Sequence, residues 1–203
     1  MLALINACQS QEIRAEVVAV ISNRPDAEGL KLAKSLGVDT VSVDHKLYEE
    51  RERFDQELLA RIESHKPDVL VLAGFMRILS EDFVQNFAGR MINLHPSLLP
   101  KYKGLNTHQR ALDARDDYAG ASLHFVTAEL DGGPVIMQVT TPILPNETAQ
   151  SLADKILPLE HAMLIQAVEM LSQGDIGLVG NSVQLYGSSD CLPLRFTHDV
   201  SET

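Results

Sequence analysis

Apolar residues recur along this chain in two rhythms. Leu2, Ile5 and Cys8 or Gln9 follow a helical spacing that Leu4 widens, so Met1–Gln11 is predicted as a helix. Glu16–Ser22 (EVVAVIS) is a β-branched run with little charge, the pattern of a strand buried on both faces. Asp26 can cap a helix through Leu36 that stops at Gly37. Asp39–Val43 is a short strand. Tyr48–His65 is a charged amphipathic helix with Phe54, Leu58, Leu59 and Ile62 on its apolar face, and Pro67 ends it. Val69–Ala73 (VLVLA) is a second apolar strand. Ser80 opens a short helix whose first turn holds Glu81 and Asp82, where carboxylates suit the dipole. Met91–Leu94 is a strand, and Thr107–Ala114 returns as a helix.

Strands alternating with helices predict a parallel, doubly wound sheet. The rhythm then changes. Ala121–Thr127 and Val135–Thr141 are two strands around an Asp131-Gly132-Gly133-Pro134 turn, fit to extend the sheet by antiparallel pairing. Thr148–Gln173 is a long helix with a bend expected at Pro158, which has no N–H to donate. Leu178–Val179 and Val183–Tyr186 are short strand-like pieces before a polar end expected to fray. No repeat or linker divides the chain. The expected architecture is a single α/β domain over 1–203, with a mainly parallel Rossmann-like sheet and an antiparallel extension.

Charge narrows the classes of partner. Seventeen Lys and Arg stand against 28 Asp and Glu, a formal charge of −11. That lacks the basic footprint of a nucleic-acid binder. A small anionic substrate remains compatible if Arg, Lys and His gather locally. No apolar run approaches the roughly 20 residues of a membrane span. Cys8 and Cys191 have no metal-like spacing and read as reduced thiols, and no secretory pattern opens the chain, so a cytoplasmic location is expected.

In open α/β sheets ligands bind beyond the carboxyl ends of the strands. After Val69–Ala73 comes Gly74-Phe75-Met76-Arg77, where Arg77 is either a surface arginine or a grip for a carboxylate or phosphate. Along Ile92-Asn93-Leu94-His95, Asn93 and His95 project to one face and Ile92 and Leu94 to the other. An amide and an imidazole so paired are either a polar strand end or the parts of an oxyanion and proton-transfer site. Asp131 is either a turn former or a carboxylate that orients the histidine. No P-loop or dinucleotide fingerprint is present. His108, His124 and His161 lack metal-ligand spacing and read as surface or hydrogen-bonded structural histidines, so no metal is expected.

Four segments occur in order: Leu72-Ala73-Gly74-Phe75-Met76-Arg77-Ile78-Leu79, Asn93-Leu94-His95-Pro96-Ser97-Leu98-Leu99-Pro100, Lys101-Tyr102-Lys103-Gly104 and Leu130-Asp131-Gly132-Gly133-Pro134. With them the chain resembles the phosphoribosylglycinamide formyltransferase family over nearly its whole length. The resemblance implies transfer of a formyl group from 10-formyltetrahydrofolate to the amine of a glycinamide ribonucleotide. It implies a catalytic trio of Asn93, His95 and Asp131. A folate site would comprise Arg51, Met76, Arg77, Ile78, Leu79, Asn93, Thr127, Ala128, Glu129, Leu130 and Asp131. Leu157, Pro158, Leu159 and Glu160 would contact the ribonucleotide. Lys101 would join Arg51 and Arg77 in opposing the overall negative charge near the anionic ligands. The implied partners are small molecules, with neither nucleic acid nor membrane, and the implied state is a monomer or weak homodimer. The alternatives are a folate-binding remnant and another 10-formyltetrahydrofolate-using formyltransferase or hydrolase.

Family members open with an apolar strand and a Gly-Asn-Gly-Ser-Asn-type loop before the first helix, and the loop's N–H groups would cradle phosphate. The sequence given starts at Met1 within the corresponding helix. Three expectations attach to that start and one to the polar C-terminal end. The first helix should lie against the edge of Val17–Ile21. Unpaired backbone should flank Val69–Ala73. A flexible tail should follow the last strand-like pieces. Folate should bind more nearly normally than the ribonucleotide.

Overall fold

The computed structural model describes residues 1–187 and 192–197. Its elements run α1 (Leu2–Gln9), β1 (Val20–Ser22), α2 (Glu28–Ser35), β2 (Thr40–Ser42), α3 (Arg51–Ser64), β3 (Leu70–Leu72), α4 (Glu81–Asn86), β4 (Met91–His95), α5 (Thr107–Asp113), β5 (Tyr118–Phe125), β6 (Val135–Pro142), α6 (Ala149–Gln173), β7 (Ile176–Val179), β8 (Ser182–Leu185) and β9 (Leu194–Thr197). β1 pairs with β2 in parallel. A five-stranded sheet has the order β3-β4-β5-β6-β9. Its β3–β4 and β6–β9 pairs are parallel, and β4–β5 and β5–β6 are antiparallel. The expected α/β sheet with an antiparallel extension is thus present.

Two apolar clusters cover the large sheet. Phe54, Leu58 and Ile62 of α3 meet Phe83, Val84 and Phe87 around α4, with Met91 beneath them. On the other face Leu4, Ala7, Ala111, Leu152, Ile156, Met163 and Ala167 pack over Ile92, Leu123 and Ile136. Met91 and Ile92 fall in different clusters because adjacent strand residues point to opposite faces. Asn93 and His95 therefore continue the Met91 face, as the alternation predicted.

Several expectations need correction. Glu16–Ser22 is a strand only over Val20–Ser22, because residues before Val20 have no ladder partner. Both β1 and β3 are half-buried rather than buried on both faces, and Val18 is 40% exposed. The cause is pairing. β1 bonds only to β2 and β3 only to β4, so among the described residues no ladder joins the two sheets. The predicted opening beside Val69–Ala73 is therefore seen. α1 does reach β1, with Ile5 beside Val17 and Val20, but it also packs on α2 and α6. The Tyr48–His65 helix starts at Arg51, after a short 3-10 turn capped by the Asp44 side chain. α6 runs through Pro158 as one helix. Leu178–Val179 and Val183–Tyr186 become the β7–β8 hairpin, shifted by a residue or more at their ends. Part of the tail expected to fray is ordered as β9, whose main chain bonds to β6. The rest of that tail, and Cys191, lie outside the described residues.

The loop after β4 is fixed from below. The fully buried Ser122 Oγ donates to the Ser97 carbonyl at 2.6 Å and accepts from the Leu99 N–H at 2.9 Å and Gln138 Nε2 at 2.8 Å. Ser122 sits opposite His95 in the β4–β5 register. Ser122→Ala leaves these groups short of a partner and is expected to destabilise the fold by about 1–3 kcal/mol. Denaturant unfolding of the variant measures this.

Candidate active site

Asn93 and His95 end β4, and Asn93 lies between Leu72 of β3 and His124 of β5. The site thus sits at the carboxyl ends of β3 and β4. Three connections surround it: residues 73–79 after β3, 96–106 after β4, and 126–134 between β5 and β6.

His95 is 5% exposed. Its Nε2 lies 2.9 Å from the Tyr102 carbonyl and its Nδ1 3.4 Å from Asp131 Oδ2. Asp131 is equally enclosed, and its Oδ2 accepts the Gly104 N–H at 2.8 Å. Asp131 has φ +47, a left-handed conformation that aspartate tolerates better than most residues. The turn beneath it depends on Gly133, where a Cβ would stand 1.8 Å from the Phe125 carbonyl oxygen. So Asp131 is both a turn residue and the carboxylate facing the histidine.

His124 completes the arrangement. Its Nδ1 lies 2.8 Å from the Phe125 carbonyl oxygen, which makes Nδ1 the donor and leaves Nε2 as acceptor. Asn93 Nδ2 donates to that Nε2 at 3.2 Å. Burial holds the His124 ring below the usual imidazole range, against the opposing pull of the Phe125 carbonyl and Asp131. The ring is accordingly neutral near pH 7. It fixes the Asn93 amide, whose second N–H has no partner among the described residues. Asp131 Oδ1 lies 3.7 Å from the same Nε2. Four side chains on three elements therefore converge, and His124, expected to be a surface or hydrogen-bonded structural histidine, is a buried hydrogen-bonded one beside Asn93. Its signal was its position opposite Asn93, legible only once the strand register is known.

Apolar residues rim the cleft. Met76 (76% exposed), Ile78 and Leu130 present apolar surface from the loops beside the trio, while Phe75 and Leu79 anchor the first loop in the α3–α4 cluster. Among the described residues Arg77 pairs with no acid, and it is half-buried. Its guanidinium lies 5.0 Å from the Phe54 ring centroid, and its buried Nε has no partner among the described residues. Glu129 and Lys103 pair at 2.6 Å, linking two of the loops, and Thr127 Oγ1 reaches the Glu129 carbonyl at 3.5 Å. Ala128 is exposed beside them.

Other expected residues stand apart from the trio. Arg51 opens α3 and faces Glu52 at 3.7 Å. The exposed Lys101 ammonium lies 3.0 Å from both Asp116 oxygens. Leu157, Pro158, Leu159 and Glu160 lie on α6, with no hydrogen bond or ion pair to the trio among the described residues. Burial raises the Glu160 carboxyl to about 7. Among the described residues no group of three or more His, Cys, Asp or Glu is placed to hold a metal ion, and no helix is long and apolar enough to cross a membrane.

The family model described as formyl transferase matches residues 1–168. The chain is 43% identical to phosphoribosylglycinamide formyltransferase of Escherichia coli (strain K12) over 185 residues, covering 91% of this chain and 87% of that protein. The solved phosphoribosylglycinamide formyltransferase of Coxiella burnetii superposes with a TM-score of 0.87 at 41% identity, covering 92% of this chain and 88% of that one. That of Anaplasma phagocytophilum gives 0.86 at 38% identity, covering 97% and 92%.

Proposed function

This chain belongs to the formyl transferase family, among the phosphoribosylglycinamide formyltransferases, and from that premise we propose that it moves the formyl group of 10-formyltetrahydrofolate to the amine of 5'-phosphoribosylglycinamide in purine biosynthesis. The observation that carries the mechanism is the convergence of Asn93, His95 and Asp131 at one strand end, with His124 behind Asn93. The Asn93 amide donates to the formyl oxygen as negative charge develops there. His95, whose ring faces Asp131, stabilises the same tetrahedral intermediate. Such donors act most strongly where charge appears only in the transition state. The proton leaving the attacking nitrogen reaches the folate nitrogen through His95 or a water. The chemistry calls on neither a metal nor a covalent enzyme intermediate.

Met76–Leu79 and Thr127–Asp131 supply the folate site in this reading, with backbone groups for the ring and the apolar rim against its faces. Arg51 meets ligand charge from α3. Leu157–Glu160 takes the ribonucleotide, with Glu160 facing its amine or ribose. The substrates are small molecules, and the protein works in the cytoplasm as a monomer or weak homodimer.

Purified protein given both substrates should release tetrahydrofolate, followed by absorbance, only when the ribonucleotide is present. Formate release without ribonucleotide would assign a hydrolase instead. Folate binding without either product would assign a binding protein.

A further inference from the structure

We propose that Asp116 is a positioning residue for His95, acting through Tyr102; the inference rests on the role given to His95 above. The Tyr102 hydroxyl donates to Asp116 Oδ2 at 2.8 Å, and the Tyr102 carbonyl faces His95 Nε2 at 2.9 Å. One residue thus joins a carboxylate outside the cleft to the imidazole within it.

Tyr102 occupies φ +57, which is uncommon for a bulky residue and persists only where surrounding contacts over-determine it. Those contacts are present. Asp116 holds the hydroxyl, and Lys101 Nζ grips both Asp116 oxygens at 3.0 Å. The Arg110 guanidinium lies 5.1 Å from the Tyr102 ring centroid and its Nη1 donates to the Lys103 carbonyl at 2.7 Å. Hydrogen bonds from Lys101 and then Tyr102 hold the Asp116 carboxyl below its ordinary range, so it stays an acceptor across neutral pH. No other carboxylate bonds to the Tyr102 hydroxyl among the described residues.

The consequence is a choice of nitrogen. A carbonyl accepts only, so His95 Nε2 must carry a proton toward Tyr102. Nδ1 is then the nitrogen that faces Asp131. The titratable group facing the ring at Nδ1 is Asp131 from the turn, whose other oxygen lies 3.7 Å from His124 Nε2 of β5. Lys103 nearby is held by Glu129. Nothing on that side would restore the Nε2–H form if the Tyr102 carbonyl turned away. An orienting contact of this second-layer kind typically affects activity about 10–100-fold at metal sites.

The test uses full-length Asp116→Ala and Tyr102→Phe proteins, the second keeping the ring under Arg110. Imidazole nitrogen NMR on resting protein should show the neutral wild-type His95 ring protonated at Nε2, and in both variants a mixture of the two forms. kcat should fall about tenfold with KM for both substrates little changed, and Asp116→Asn, which keeps an acceptor for the hydroxyl, should recover part of the loss. Wild-type nitrogen shifts in folded variants, or altered shifts with unchanged kcat, would overturn the proposal. If the wild-type protein transfers no formyl group, the functional reading fails, while the nitrogen shifts still decide whether Asp116 sets the ring.

Discussion

Asn93→Ala is expected to lower kcat by about 10²–10³, the usual effect of removing one preorganised oxyanion donor. Its Cβ remains, so the strand and the β4–β5 register should persist. His124 Nε2 loses its donor in the variant, and that ring is the point at which a local rearrangement would begin. His95→Ala should cost at least as much, because it removes both the donor and the proton carrier. The two changes should not add. Residues that act as a unit on one transition state share their contribution, so the double variant should fall only slightly below the worse single variant. KM for each substrate should move little, since the interactions are made in the transition state rather than the ground state. Steady-state kinetics on the three folded variants decide this. Near-wild-type turnover in Asn93→Ala or His95→Ala removes that residue from the mechanism. Full additivity in the double variant would mean that they serve different steps.

The pairing of Asn93 with His95 was legible in the sequence because strand parity is local and Ile92 and Leu94 are apolar. Asp131 was legible because a double glycine followed by proline marks a turn wherever it occurs. His124 was not, since it meets Asn93 only through an antiparallel register linking positions 31 apart in sequence. Tyr102 was not, because it contributes a carbonyl that almost any residue carries. The same distinction separates the elements. α6 and its Gly174 stop, the Ser80 cap of α4 and the apolar face of α3 follow from short-range chemistry. The burial of β1 and β3 does not. An apolar run states what a strand could bury, while the burial reached depends on its neighbours, and each of these strands has one ladder partner. β9 was missed for a related reason. Four residues carry little periodic signal, and its partner β6 lies more than fifty residues earlier.

Glu160→Gln is expected to stabilise the free protein by up to about 3 kcal/mol at pH 8 and to leave it nearly unchanged below pH 4.5. Burial on α6 raises the Glu160 carboxyl from 4.5 to about 7, and no side chain of the described residues pairs with it. The raised value fixes the sign. Between those two values the folded state holds a proton that the unfolded state has released. Wild-type stability from this group therefore falls as pH rises from 4.5 to about 7, and the deficit is constant above that. Glutamine is neutral throughout and escapes the loss. Urea unfolding of both proteins at pH 4.5, 6 and 8 reads the difference directly, and a constant offset across the range would show that the carboxyl titrates normally. A protein that keeps an uncompensated acid here gains in another way if Glu160 meets the ribonucleotide. A polar or cationic ligand group favours the ionised carboxylate, so binding should release a proton near pH 6 to 7. Calorimetry in buffers of different ionisation enthalpy detects that release, and in Glu160→Gln it should vanish as the ribonucleotide affinity falls. Proton release that survives the substitution would place the titrating group elsewhere and leave Glu160 with a structural cost but no ligand.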